Sequence, residues 1–174
     1  MAEQPTRVLF VCLGNICRSP TAEGVFRQRV EQAGWGGLLQ ADSAGTADWH
    51  VGKAPDARTV QHARTRGYDL SRLRARQVGW ADFDQFDLIL AMDDDNHAAL
   101  CRLEQEARSR LDHPPRARLG RLLDHHPDVA DRNVPDPYYG GDEGFHAVLD
   151  LVEGACDGLL RQLLKERGVF GCGC

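Results

Sequence analysis

Cys12, followed after five residues by Arg18 and then Ser19, is the arrangement in this chain with the clearest chemistry. A thiolate can attack phosphorus while in-turned backbone N–H groups and a bidentate guanidinium hold the equatorial oxygens as charge redistributes. A serine hydroxyl beside the sulfur can stabilise it both as thiolate and as leaving group. Val8-Leu9-Phe10-Val11 ahead of the cysteine suits a strand buried on both faces, and Pro20 is a residue favoured at the first position of a helix. Cys12 thus falls where a parallel strand ends. Leu13, Gly14, Asn15, Ile16, Cys17, Arg18 and Ser19 then form a loop at a helix N-terminus, a setting that favours anions, thiolates among them. Taken alone, the spacing also fits a buried strand cysteine without chemistry. A nucleotide-type phosphate loop is disfavoured, because G-x4-G-K-[ST] is absent and Gly52-Lys53 runs into Ala54.

A second group with chemical potential is Asp136, held between Pro135 and Pro137 and followed by Tyr138-Tyr139-Gly140-Gly141. The two prolines restrict its backbone, so the carboxylate suits either a positioned proton donor or an ordinary Asx turn. Cys17 stands in C-x4-C spacing with Cys12, and a loop that folds back on itself can bring the two sulfurs together. His113, His125 and His126 lack a third ligand at a metal-binding spacing and read as solvated loop histidines. Asp93, Asp94 and Asp95 read as a helix cap favoured by the helix dipole, so neither metal nor cofactor is expected.

The elements that must position these groups follow from periodicity. Ala22, Val25, Phe26, Val30 and Ala33 predict a helix over 20–33, ended by Gly34-Trp35-Gly36-Gly37. Residues 38–43 suit a short strand, 44–52 a loop around Trp49, and 55–66 a helix stopped by Gly67. Residues 87–92 form a second buried strand, followed by a capped helix through Ala107. Between Arg108 and Val134 only 119–123 suits a strand, and 143–167 reads as a long amphipathic helix. Alternating strands and helices argue for an α/β fold, a parallel sheet with helices on both faces and ligands beyond the carboxyl ends of the strands.

At 174 residues the chain suits a single domain, 1–174, with a core over about 7–167 and a mobile tail over 168–174. Apolar residues at 42% and charged residues at 27% exclude collagen-like and disordered classes for most of the length. The net charge of −5 is spread among both signs, so no nucleic-acid or membrane partner is expected. The polar start before Val8 carries no signal peptide and no run approaches a membrane span, so the expected location is cytoplasmic. The six cysteines read as reduced thiols. Cys101 and Cys156 are expected to be buried, and Cys172 and Cys174 give only a weak redox or metal signal.

Cys12-Leu13-Gly14-Asn15-Ile16-Cys17-Arg18-Ser19-Pro20 resembles the signature of the low-molecular-weight protein tyrosine phosphatases. The resemblance continues through Asp42-Ser43-Ala44-Gly45-Thr46, Trp49-His50-Val51-Gly52, Ala75-Arg76-Gln77, Leu90-Ala91-Met92-Asp93 and Asp136-Pro137-Tyr138-Tyr139-Gly140, over roughly 7–165. It implies a four-stranded parallel sheet in a three-layer sandwich and a metal-free, two-step hydrolysis through phosphocysteine. Cys12 would be the nucleophile, Arg18 the phosphate clamp and Asp136 the general acid, then the base for water. Asn15, Ser19 and Ser43 would support the loop, while Trp49, Tyr138 and Tyr139 would wall a cleft deep enough for phosphotyrosine. Leu13 and Ile16 would edge that cleft, and Ile16 stands where the family's arginine-phosphatase branch carries threonine. Leu73 stands where many relatives carry a histidine that partners Asn15. Oxidised Cys12 would be trapped reversibly by Cys17. The implied partners are phosphotyrosine-containing proteins, by analogy a tyrosine kinase among them, with phosphate as product. An arsenate reductase on the same fold and a non-catalytic phosphotyrosine-binding module are the rival readings.

Overall fold

The computed structural model describes residues 3–169. The expected mobile tail lies, from Phe170 onward and including Cys172 and Cys174, outside those residues. The order of elements is β1 (Thr6–Cys12), α1 (Arg18–Gln32), β2 (Leu39–Gly45), α2 (Ala57–Thr65), α3 (Asp82–Gln85), β3 (Leu88–Ala91), α4 (Asp94–Arg110), β4 (Arg118–Arg121) and α5 (Asp142–Glu166). A 3-10 turn over Leu122–His125 joins β4 to the loop that follows.

Four parallel strands lie in the order β2-β1-β3-β4. Along β1, Val8, Phe10 and Cys12 face one core while Leu9 and Val11 face the other. The first core is filled from α1 and α5, with Phe26 edge-on to Phe10 at 5.7 Å, and the second from α3 and α4. Covered on both faces, β1 reads as an unbroken apolar run, and truncating one such side chain costs about 2–5 kcal/mol. The chain leaves β1 toward β2 and later returns on the far side to β3 and β4. The strand order therefore reverses between β1 and β3, where a crevice opens beyond their carboxyl ends. Cys12 ends β1 and Met92 follows β3 at that crevice.

Several boundaries differ from the sequence expectation, each for a physical reason. Helix α1 begins at Arg18, so Pro20 is its third residue. A proline is tolerated throughout the first turn because those N–H groups have no intrahelical acceptor. Helix α4 continues to Arg110, extended by the Glu104–Arg108 and Glu106–Arg110 pairs one turn apart. Strand β4 ends at Arg121, and Leu122 and Leu123 belong to the 3-10 turn. That turn presses against α5, where a Cβ at Gly158 would collide with the His125 carbonyl. His125 and His126 are accordingly half-buried against α5 and only partly solvated, with His125 Nδ1 2.8 Å from Gln162 Oε1. Cys156 is buried, as expected, but Cys101 is only half-buried, its sulfur 3.6 Å from His97 Nδ1 one turn earlier. Among the described residues, no helix is long and apolar enough to cross a membrane.

Candidate active site

The loop after β1 is shaped from outside. The carbonyls of Cys12, Leu13 and Ile16 accept the N–H groups of Thr46, Ala47 and Asp56, each at 2.9 Å. The Cys17 carbonyl accepts Thr21 Oγ1 at 2.7 Å. With the carbonyls turned outward, the amides of Gly14, Ile16 and Cys17 have no protein acceptor among the described residues. Such a nest, opening on a helix N-terminus, can hold a tetrahedral anion. Gly45 is required beneath it, because a Cβ there would lie 2.7 Å from the Leu13 carbonyl oxygen.

Asn15 carries the loop through a left-handed turn at φ 57°, a conformation that asparagine tolerates better than most residues. Its buried carboxamide is fully engaged. Nδ2 donates to Ser19 Oγ (2.8 Å) and Ser43 Oγ (3.0 Å), and Oδ1 accepts the Arg76 backbone N–H (3.0 Å). That backbone amide does the work for which a side chain at position 73 was sought, and Leu73 packs against the first core instead. Arg76 is fixed by Asp42 and by Asp82 of α3, both at 3.1 Å. Behind Ser43, whose hydroxyl donates to Glu23 Oε1 at 2.7 Å, lies a buried carboxylate paired with Arg27 at 2.6 Å. Burial pushes the Glu23 carboxyl above its ordinary range, against the opposing Ser43 bond and Arg27 charge.

Cys12 Sγ lies 3.0 Å from Ser19 Oγ and accepts the Asn15 N–H at 3.3 Å. The Asn15 N–H stabilises negative charge on sulfur, as does the Ser19 hydroxyl when its proton turns from the Ala44 carbonyl to Cys12. Cys17, five residues on, is different: burial, with Asp56 adding to it, pushes its thiol up to about 12. Arg18 is 3% exposed and forked, Nη1 donating to Asp93 Oδ2 (2.6 Å) and the Val134 carbonyl (3.0 Å). Its burial disfavours charge, but Cys12, Asp93 and Asp136 more than compensate, so the guanidinium is held charged. Asp93 serves twice, since its other oxygen caps α4 by accepting the Asn96 N–H at 2.8 Å.

The segment bearing Asp136 docks at Val134, whose N–H donates to the Met92 carbonyl at 2.8 Å. Asp136 Oδ1 closes a turn on the Tyr138 N–H (3.1 Å), and Oδ2 stands 3.6 Å from Arg18 Nη2. Cys12 through Arg18, apart from the enclosed Asn15, floor a cavity of about 260 Å³ walled by Trp49, His50, Asp136, Tyr138 and Tyr139. Every residue expected at the cleft from sequence is brought to this cavity or to the network behind it. Trp49 and Tyr139 are 66% and 94% exposed, so they rim the mouth more than they line a wall.

Sequence reasoning missed Glu23, His50, Asp93 as a partner of Arg18, and the Arg76 amide. For Glu23 a signal existed, a carboxylate on the apolar stripe of α1 with an arginine four residues on. A backbone amide leaves none. Among the described residues no group of three or more His, Cys, Asp or Glu is arranged to hold a metal ion.

The model of a family described as low molecular weight phosphotyrosine protein phosphatase matches residues 7–169. A putative low molecular weight protein-tyrosine-phosphatase of Synechocystis is 47% identical over 92% of this chain and 98% of its own length. The crystal structure of YfkJ from Bacillus subtilis superposes with a TM-score of 0.85 at 38% identity, covering 96% of this chain and 99% of that one. A Drosophila arginine phosphatase has the same fold, with a TM-score of 0.80 at 34% identity over 90% of this chain and 96% of its own.

Proposed function

The chain belongs to the low molecular weight phosphotyrosine protein phosphatase family, and from that premise we propose that it hydrolyses phosphotyrosine in proteins through a phosphocysteine intermediate. The observation that carries the reading is the convergence of three groups on one cavity: Cys12 Sγ beside the Ser19 hydroxyl and the Asn15 N–H, the buried Arg18 fork, and Asp136 3.6 Å from that fork.

The phosphate dianion enters the nest and takes up Arg18 Nη2, displacing its contact with Asp136. Cys12 attacks phosphorus, the Gly14, Ile16 and Cys17 amides and Arg18 hold the equatorial oxygens, and Asp136 protonates the departing phenolate oxygen. In the second step Asp136 removes a proton from water, which attacks phosphorus. Sulfur then leaves as thiolate, stabilised by Ser19 and the Asn15 amide, and phosphate is released. Tyr138 and Trp49 flank the aromatic ring, and a cleft that deep holds a phosphoserine poorly.

Ile16, where the arginine-phosphatase branch carries threonine, favours an aryl ester over phosphoarginine. A reductase mechanism would need a resolving thiol beside Cys12 that connects to the exterior. Cys101 lies on α4 and Cys156 is buried against Ala22, and neither borders the cavity. Cys17 does border it, and under oxidant its sulfur would displace water from a Cys12 sulfenic acid. With its thiol at about 12, that step is slow. Four described cysteines are free thiols, in keeping with a cytoplasmic site of action, where a tyrosine kinase is a partner by analogy.

Cys12→Ser should lose turnover of a phosphotyrosyl peptide yet retain vanadate binding. Phosphoarginine should be cleaved far more slowly than the peptide by the wild-type protein. Wild-type rates in Cys12→Ser would overturn the mechanism, and a preference for phosphoarginine would overturn the substrate.

A further inference from the structure

The N-terminus of α2 touches both halves of the site. On one side the Asp56 N–H donates to the Ile16 carbonyl of the phosphate loop at 2.9 Å. On the other, Arg58 Nη2 donates to the Tyr138 carbonyl at 2.9 Å, two residues beyond Asp136. Asp56 and Arg58 are themselves joined. Asp56 Oδ1 accepts the Arg58 N–H at 2.9 Å, and Arg58 Nε and Nη2 reach the two carboxylate oxygens at 3.2 Å each. The guanidinium carbon also lies 5.6 Å from the Tyr138 ring centroid and 4.9 Å from that of Phe145 in α5, within cation–π range. Phe145 is backed in turn by the His62 ring, stacked on it at 5.2 Å.

Between Pro135 and Gly140 the only hydrogen bond donated from outside the segment, among the described residues, comes from Arg58. The Asp136 carboxylate is tied by its own turn to the Tyr138 N–H at 3.1 Å, so fixing Tyr138 also orients the carboxylate.

We propose that Arg58 is a positioning residue for the proton-transfer step, holding the Asp136–Tyr138 turn at working distance from the phosphate loop through a bridge anchored on Asp56. This role rests on the reading of Asp136 as the general acid. It needs a guanidinium in particular. One planar group must satisfy a carboxylate, a carbonyl and two ring faces at once, which an ammonium cannot do.

The test compares phenyl phosphate, a poor leaving group, with p-nitrophenyl phosphate, a good one, in Arg58→Met, Arg58→Lys, Asp136→Ala and the Met/Ala double variant. Thermal melts establish that each variant is folded. Arg58→Met should lower kcat/KM, which reports the step that expels the phenol, about 10-fold for phenyl phosphate while p-nitrophenyl phosphate changes less than about 2-fold. Arg58→Lys should fall between it and the wild type. In the Asp136→Ala background the Arg58→Met change should add nothing, because no acid is left to position. Equal losses with both esters, or additive losses in the double variant, would make Arg58 a structural brace and overturn the proposal. If Asp136→Ala alone showed no dependence on leaving group, the acid assignment would fail and take the role of Arg58 with it.

Discussion

Between Cys12 and Ser19 the outward carbonyls, the Asn15 carboxamide and the Arg18 fork are bonded to Ser43–Ala47, Asp56, Arg76, Asp93 and Val134, five different parts of the chain, and all but Leu13 are buried or half-buried. Between Pro135 and Gly140 one hydrogen bond among the described residues arrives from outside, the Asp136 side chain is 41% exposed and Tyr139 stands almost wholly in solvent. The two stretches meet in one cavity but are built on opposite plans. A group of donors that must match charge developing on phosphorus gains from being fixed in advance, because nothing then has to reorganise during the reaction. A carboxylate that must reach leaving oxygens on large, varied substrates gains from accessibility, with few tethers setting its range. Damage to the first should therefore harm every substrate alike, and damage to the second should depend on the leaving group.

Arg18→Lys is the most severe way to challenge that contrast. It removes the fork and the bonds to Asp93 and Val134, so kcat/KM should fall by about 10²–10³-fold or more for all aryl phosphates alike. A loss confined to poor leaving groups would break the comparison. Asp136→Ala should cost about 10²-fold in kcat/KM with phenyl phosphate and several-fold less with p-nitrophenyl phosphate, seen as a steeper dependence of kcat/KM on leaving-group pKa. Gly45→Ala acts on the loop without touching substrate. The Cβ must push the Leu13 carbonyl aside, so thermal melts should show about 1–3 kcal/mol of destabilisation and vanadate should bind more weakly.

Glu23→Gln is the mildest change. Burial holds this carboxyl above its ordinary 4.5, so in the folded state it keeps a proton that the unfolded chain has released. The stability it contributes is present below that value and is lost as pH rises through the folded one. Denaturant midpoints measured across that range should decline with pH in the wild type and flatten in the glutamine variant, which still offers Ser43 an oxygen.

The same contrast governs what could be read in the sequence. The phosphate loop is contiguous, so an apolar run, a cysteine, an arginine and a Ser-Pro step announce strand end, nest and helix start together. Asp136 was marked by its flanking prolines and by resemblance, but nothing local tied it to Cys12. Asp93 was legible as a cap through one carboxylate oxygen, while the other reaches Arg18 from 75 residues away. The brace for Asn15 could not be found by searching for side chains, because a backbone amide supplies it. Short α3 carries no periodicity, yet its Asp82 keeps Arg76 in place. In the sheet, β1 and β3 were plain from composition. The short β4 and its 3-10 continuation were not, because two leucines serve a buried strand or a buried turn equally well.

The buried thiol of Cys17 has a practical corollary for counting active molecules. With burial pushing its thiol up to about 12, Cys17 stays protonated at pH 7. Under the proposed mechanism a sulfur-directed electrophile small enough to enter the cavity meets two cysteines and reacts at Cys12. A single equivalent of an isotopically tagged haloacetate, blocked by excess phosphate, should silence the preparation. The adducts counted by mass would then report how many cavities in a sample were correctly assembled.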